Sequence, residues 1–181
     1  IDFDPLYQTL HLHNLDIIRN GKRINKIESS SASVVNREDD LSNQIYNGSL
    51  SLNMIVDDVQ IGDVIDYSYS RVGTNPVYKG LFSYTRSINW SVPVENQFLR
   101  ILWGKDKPLN VKVINIDAPV KQTNWNGYKQ YQVSLHLEPT IDRPSQTPNW
   151  HDSYAHAYFN ETSDWVDVVN WAEPMYHFNT D

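Results

Sequence analysis

The sequence predicts an all-β protein: an antiparallel β-sandwich of about ten or more strands with one short C-terminal helix. Three observations predict this class. The chain contains 11 Tyr and 6 Trp in 181 residues, and aromatic side chains pack well on a pleated sheet. Apolar and polar residues alternate with a period of two in several segments, and Asn-Gly pairs lie beside some of them. A single segment, near the C-terminus, has the periodicity of a helix.

The alternating segments predict strands in residues 6–13, 50–56, 65–70 and 128–137. In the third segment, Ile65, Tyr67 and Tyr69 share one face, which we expect to lie against the core. Polar stretches at 28–33 and 36–43 are the least regular parts of the chain.

Turn residues separate these strands. Asn20-Gly21, Asn47-Gly48 and Asn126-Gly127 favour type I′ hairpin turns. The last pair predicts a hairpin between 121–125 and 128–137. Gly62 permits a tight turn, and the Asp63 carboxylate can accept hydrogen bonds from the backbone of that turn. Pro93 is expected to mark a strand end.

The helix is predicted within 162–173. Trp165, Val168, Val169 and Ala172 have the spacing of one apolar face, which we expect to pack on the sandwich. Thr162 or Ser163 is the expected N-cap. We therefore predict a sandwich domain at 1–161, a helix at 162–176 that packs on the sandwich or follows it, and the start of a linker to a missing downstream domain at 177–181.

Composition excludes several classes of function. The formal charge is −7 and Cys is absent, so nucleic-acid binding, disulfides, thiolate metal sites and cysteine catalysis within these residues are not expected. No apolar run is long enough to predict membrane insertion. The chain begins with Ile1, which is compatible with a removed signal peptide.

Candidate chemical groups each have a simpler structural interpretation. His11 and His13 have a spacing that can hold a metal, but no third ligand is evident. A hydrolase site could use His151, Asp152 or His156, although a polar strand explains them as well. For the acidic residues near Gly62, turn chemistry is a better interpretation than a calcium loop; they are Asp57, Asp58 and Asp63. We therefore predict no catalytic residue, no cofactor and no metal.

The aromatic side chains allow two interpretations. They could form a surface that stacks on sugars or peptides, or they could pack within the sheets, which is the more ordinary outcome. The residues concerned are Tyr67, Tyr69, Tyr78, Tyr84, Trp90, Trp103 and Trp125.

The run from residue 50 to residue 69 resembles a known family. Its pattern is V-x-x-G-D-x-I-[DE]-Y-x-Y, matched by Val59, Gly62, Asp63, Ile65, Asp66, Tyr67 and Tyr69. Similar matches follow at 73–80, at 90–95 around Pro93 with Arg100 after it, and at 163–176 around Trp165. Together they resemble the N-terminal domain of unknown function that precedes transglutaminase-like domains in bacterial exported proteins.

This resemblance implies a non-catalytic accessory module. In the family, the Cys-His-Asp site lies in a downstream transglutaminase-like, papain-related domain, which would be the partner within the same chain. It also implies export, with the periplasm as the expected location. The alternative is a free-standing module that binds a glycan or a peptide through exposed Trp and Tyr. A hydrolase that uses the late histidines is the third, weaker hypothesis.

Overall fold

A computed structural model describes residues 1–36, 48–138, 140–141, 146–148 and 150–176. These residues form twelve strands, all paired antiparallel, and one short α-helix, which confirms the predicted fold class. The chain divides into two compact units, residues 1–80 and 81–181, named here the N-terminal and C-terminal units. The predicted irregular segment at 37–43, Asn47 and the linker at 177–181 lie outside the described residues.

The N-terminal unit contains two three-stranded sheets, with strand orders β1-β5-β4 and β3-β2-β6. Asn20 and Gly21 have φ of 50° and 74° and join β2 to β3, as the hairpin prediction requires. The strands are β1 (Asp2–Phe3), β2 (Thr9–Arg19), β3 (Lys22–Asn25), β4 (Ser31–Asn36), β5 (Leu50–Ile55) and β6 (Val64–Val72).

Two strands of this unit differ from the prediction. The first predicted strand begins at Thr9 and continues to Arg19, with a register shift between Leu12 and Asn14 that marks His13 as the extra residue of a β-bulge. Residues Ser31–Asn36 form β4, although the sequence there looks irregular. Pairing with β5 along its whole length explains this strand, because strand formation depends on a partner as well as on local preference.

The C-terminal unit also contains two three-stranded sheets, with strand orders β10-β11-β8 and β7-β12-β9. The predicted hairpin at Asn126-Gly127 is confirmed, with φ of 47° and 84° and with Trp125 paired to Tyr128. Pro93 directly precedes β8, as expected of a residue at a strand end. The strands are β7 (Ser83–Ser87), β8 (Val94–Trp103), β9 (Asn110–Ile114), β10 (Lys121–Trp125), β11 (Tyr128–Glu138) and β12 (His156–Asn160).

A hydrophobic core lies between the two sheets of the C-terminal unit. Phe159 is 1% exposed and Val133 is 2% exposed. Each packed side chain of this size contributes roughly 1.5–3 kcal/mol to folding. The buried cluster consists of Ile88, Trp103, Leu109, Tyr131, Ala155, Ala157 and Phe159.

The predicted C-terminal helix is α1 (Trp165–Ala172), but its apolar face is not buried. Trp165 is 80% exposed and Val169 is 56% exposed, so the expectation that this face packs on the sandwich is wrong. The N-cap is Asp164, whose carboxylate accepts a hydrogen bond from the Asp167 N–H at 3.1 Å. The Asp167 carboxylate in turn accepts from the Ser163 N–H at 2.7 Å. These two side-chain hydrogen bonds, and not burial, therefore stabilise the start of the helix.

Candidate functional site

The Gly62-Asp63 turn leads into β6 and is closed by local hydrogen bonds. Gly62 has φ of +92°, a conformation that glycine adopts without a steric penalty. The Asp63 carboxylate accepts from the Gln60 N–H at 2.8 Å, and the Asp63 N–H donates to the Gln60 carbonyl at 3.1 Å. This is the turn chemistry expected from the sequence.

Arg19 completes this turn from the end of β2. Its Nε donates to Asp63 Oδ1 at 2.9 Å, and a terminal nitrogen donates to Asp63 Oδ2 at 2.8 Å. The Asp63 side chain is 2% exposed. Arg19 also donates to Asp58 Oδ2 at 3.2 Å. Sequence reasoning missed Arg19 because nothing local connects it to a turn 44 residues away.

The electrostatics of the turn keep these groups ionised. The Arg19 hydrogen bonds, with the Gln60 N–H, hold the pKa of Asp63 down to about 2. The pKa of Asp58 is also lowered, first by the Gln60 side chain and then by Arg19. The carboxylates of Asp58 and Asp63 accept hydrogen bonds from neighbouring groups of the fold, which supports the interpretation of this acidic cluster as turn chemistry.

Ile65, Tyr67 and Tyr69 lie on one face of β6, as the alternation predicts. They pair directly with Ile17, Leu15 and Leu12 of β2, respectively. The two tyrosine rings are stacked, with centroids 6.4 Å apart and planes within 5°.

This face is apolar but not buried. Ile65 is 44% exposed, Tyr67 is 56% exposed and Tyr69 is 43% exposed, so the expectation that these three residues lie against a closed core is wrong. For Ile65 and Tyr67, the physical reason is an open groove of about 360 Å³ in the N-terminal unit. Its walls come from the apolar faces of both sheets and include Leu12, Leu15, Leu52, Met54, Ile65 and Tyr67.

The first histidine pair belongs to the bulge of β2. His13 Nε2 lies 2.7 Å from Ser70 Oγ on β6, while His11 pairs with the backbone of Ser70 in the strand register. Across the described residues, no group of three or more His, Asp or Glu is arranged to hold a metal ion. The contact of His13 with Ser70 is a cross-strand hydrogen bond within a sheet.

The second histidine group has a geometry that the sequence did not indicate. His156 Nε2 lies 2.7 Å from Asp152 Oδ2, and His156 Nδ1 lies 3.4 Å from Ser87 Oγ. Ser87 enters this group because it pairs with His156 across β7 and β12. His151 forms an edge contact with Trp150, at 5.9 Å between ring centroids.

This group contains the residue types of a nucleophile, a base and an orienting acid. Its contacts also have a local structural explanation. The second Asp152 oxygen, Oδ1, accepts from the Tyr154 N–H at 2.9 Å, which closes the turn before β12. The Asp152 side chain is 56% exposed, whereas the orienting acid of a serine-hydrolase triad is buried.

A third feature is the outer face of the β10-β11-β8 sheet, named here the hairpin face. Trp103 and Tyr131 point into the core, so the residues that alternate with them point outward. Phe98 is 62% exposed and Trp125 is 44% exposed. The described side chains of this face are Asn96, Phe98, Arg100, Leu102, Lys121, Thr123, Trp125, Tyr128, Gln130, Gln132, Ser134 and His136.

The candidate stacking aromatics differ in how far they are exposed. The interpretation as packing within the sheets is confirmed for Trp103, which is 6% exposed, and for Tyr84, whose ring contacts Phe159. Trp90 is half-buried and carries the Arg86 guanidinium 6.0 Å from its ring centroid. The other four are more than 40% exposed, namely Tyr67, Tyr69, Tyr78 and Trp125.

Comparison with known proteins decides the family. Residues 1–141 match the family described as Domain of Unknown Function with solved-structure structure (DUF3857). The chain belongs to the DUF3857 family. Gly62, Asp63 and the strand that follows them lie within the matched range. No curated protein matches this chain.

One solved structure is similar over most of the chain. It is the crystal structure of a protein from Parabacteroides distasonis ATCC 8503, described as "a putative protease". The TM-score is 0.76 at 17% sequence identity, and the match covers 90% of this chain. This DUF3857 chain spans 32% of that longer protein. At this level of identity, the likeness establishes a shared fold.

No helix within the described residues is both long and apolar enough to cross a membrane.

Proposed function

We propose that this chain is a non-catalytic N-terminal accessory module of a larger exported bacterial protein, located in the periplasm. The reaction would belong to a downstream transglutaminase-like domain of the papain-related cysteine protease superfamily. DUF3857 membership, the order of the sequence motifs, and a fold that accounts for 32% of a longer chain support this proposal.

One observation carries the proposal: the candidate chemical groups are used by the fold itself. Asp63 holds its own turn and Arg19. His13 bonds to Ser70 within a sheet. Asp152 closes the turn that orients His156. Residues with these structural roles favour a scaffold, in which catalysis is supplied by a neighbouring domain.

The module would contribute domain packing or the binding of a substrate or partner. The open groove of the N-terminal unit suits this role because it exposes Ile65 and Tyr67. Exposed apolar surface of this kind is typical of interaction sites in globular proteins.

The proposal is tested in the full-length protein. We expect a Cys, His and Asp of a transglutaminase-like domain to follow Asp181 in the reading frame. Replacing that Cys by Ala should abolish amide-bond chemistry, whereas Ser87→Ala and His156→Ala should retain it. A reading frame that stops at Asp181 contradicts the proposal. Activity that survives the Cys replacement and is lost in Ser87→Ala also contradicts it.

A second candidate function is a free-standing module that binds a glycan or a peptide. The hairpin face favours it, because Phe98, Trp125 and Tyr128 are all exposed there beside amide and hydroxyl side chains. Aromatic rings with polar neighbours are suited to amphipathic ligands such as sugars.

A further inference from the structure

The hairpin face has a row of polar side chains across its centre. Lys121 of β10, Gln132 of β11 and Arg100 of β8 occupy neighbouring register positions. The next row along the strands contains Thr123 and Gln130. The face therefore presents hydroxyl, amide and cationic groups together, on strands that are fixed by the core beneath them.

These polar groups are held in place by one another. Arg100 Nε donates to Gln130 Oε1 at 2.6 Å, and Gln130 Nε2 donates to Thr123 Oγ1 at 2.9 Å. Gln130 is 7% exposed, so this chain of hydrogen bonds is anchored beneath the surface. The Arg100 guanidinium lies 4.6 Å from the centroid of the Trp125 ring, a cation–π contact that orients it further.

Charge on this face differs from that of the whole chain. The protein has a net charge of −7, yet the described side chains of the hairpin face include two cations and no acid. The described contacts of Arg100 are with Gln130 and Trp125, and none of the ion pairs among the described residues includes Arg100 or Lys121. Arg100, which these contacts hold in place, and the exposed Lys121 therefore complement an anionic ligand.

Apolar surface lies on both sides of these cations. Phe98 is 62% exposed towards one end of the strands, and Trp125 and Tyr128, at 44% and 45%, lie towards the other. Exposed rings suit the C–H faces of sugar rings, and amide and hydroxyl groups suit sugar hydroxyls.

We propose that the hairpin face binds an oligosaccharide that carries carboxylates. The inference rests on the glycan-binding candidate function and adds the charge of the ligand to it. Arg100 and Lys121 would contact carboxylates, while Phe98, Trp125 and Tyr128 would contact sugar rings.

The test is titration calorimetry on the 181-residue chain with two matched probes. The first is hexagalacturonic acid, and the second is its fully methyl-esterified form, which has the same sugar rings without the negative charges. We expect the acid to bind at least tenfold more tightly than the ester, and its affinity to fall as salt is added. Trp125→Ala and Arg100→Gln should each weaken acid binding at least tenfold.

Two control variants lie on the outer face of the other sheet of the same unit. Tyr158 is 38% exposed and is paired with Lys112 across β12 and β9. Tyr158→Ala and Lys112→Gln should leave binding unchanged. Circular dichroism and urea midpoints should show that Trp125→Ala and Arg100→Gln are folded.

Each outcome decides the proposal. Equal binding of acid and ester overturns the role of charge and leaves the glycan-binding function in place. Binding of neither probe overturns both. Binding of hexaglutamate without binding of hexagalacturonic acid also overturns the proposal, and assigns the face to an acidic peptide. Acid binding that is unchanged in Trp125→Ala and Arg100→Gln excludes this face as the site.

Discussion

The two units are built from the same kind of sheet but differ in how completely the sheets close. Among the described residues, the C-terminal unit buries a continuous cluster around Phe159 and Trp103. Within the described part of the N-terminal unit, the buried apolar side chains are Leu15 and Ile17 alone, and a groove lies open beside them. An alternating sequence therefore identifies an apolar face, but the neighbouring sheet determines whether that face becomes closed core or an open groove.

The largest expected effect tests the closed core. Phe159→Ala should lower the free energy of unfolding of the C-terminal unit by about 3–5 kcal/mol, because it leaves a cavity at a fully buried site. All six Trp lie between residues 90 and 171, so urea titration followed by Trp fluorescence reports on this unit.

Two control variants sharpen this comparison. Tyr158→Ala removes a ring on the opposite face of the same strand and should cost less than about 1 kcal/mol. In the N-terminal unit, Ile65→Ala should also cost about 1 kcal/mol, measured by hydrogen exchange of the β2 and β6 amides, because Ile65 is partly solvated. Equal losses for Ile65→Ala and Phe159→Ala would show that the N-terminal unit has a closed core.

The next effect concerns two glycines of the N-terminal unit. Gly73 has φ of +121°, and a Cβ there would lie 1.9 Å from the Tyr7 carbonyl oxygen. Gly73→Ala adds a steric clash to backbone strain, and should lower the free energy of unfolding of the N-terminal unit by about 3 kcal/mol. Hydrogen exchange of the β2 and β6 amides measures this loss. Gly62 has φ of +92° with nothing within 4 Å of a Cβ. Gly62→Ala should therefore cost about 1 kcal/mol.

Gly62→Val should cost more than Gly62→Ala, about 2 kcal/mol, since a β-branched residue tolerates positive φ poorly. An unchanged melting temperature for Gly62→Val would contradict the assigned turn. Equal losses for Gly73→Ala and Gly62→Ala would show that the approach of Tyr7 to Gly73 is not a constraint.

A smaller effect depends on pH. The pKa of Asp63 is about 2 in the folded state, below its usual value of 3.8. Its contribution to stability is therefore complete above about pH 4 and is lost as the pH falls towards 2. In the Asp63→Asn variant, the stability of the N-terminal unit should lack that part of the pH dependence. The measurement is the urea concentration at which the amides of this unit lose half of their protection from hydrogen exchange, between pH 5 and pH 2. Asp57→Asn, in the same loop, should keep this pH dependence. Identical pH profiles for the two variants would show that Asp63 is not the source of the pH-dependent stability.

The smallest expected effect is at the helix. Trp165 is 80% exposed, so Trp165→Ala should change the free energy of unfolding by less than about 0.5 kcal/mol. Trp103→Ala, at a site that is 6% exposed, should cost about 3–5 kcal/mol. Urea titration followed by circular dichroism compares the two. A loss above 2 kcal/mol for Trp165→Ala would mean that the helix packs on an apolar surface.

Local chemistry made much of the fold predictable. The hairpins at Asn20-Gly21 and Asn126-Gly127 follow from two residues each, because positive φ at consecutive positions matches the twist of the strands. The turn at Gly62 follows for the same kind of reason. The strand β4 could not be predicted in this way, since its regularity comes from pairing with β5.

The candidate site was predictable only in part, because its contacts join distant residues. Arg19 contacts Asp63, which is 44 positions away in the sequence, and Ser87 contacts His156, which is 69 positions away. Such contacts depend on strand register, which a single alternating pattern does not specify. The exposure of Tyr67 and Trp125 is likewise a property of how the sheets are arranged, since alternation assigns a face without assigning its surroundings.

The central claim, that this chain is a scaffold whose own side chains catalyse no reaction, is tested most directly by turnover assays on the purified chain. Peptide, ester and glycoside substrates should remain intact at neutral pH over a day, equally for the wild type, Ser87→Ala and His156→Ala. Reproducible turnover by the wild type that disappears in Ser87→Ala or His156→Ala would contradict the claim, and would assign the activity to the cluster of Ser87, His156 and Asp152.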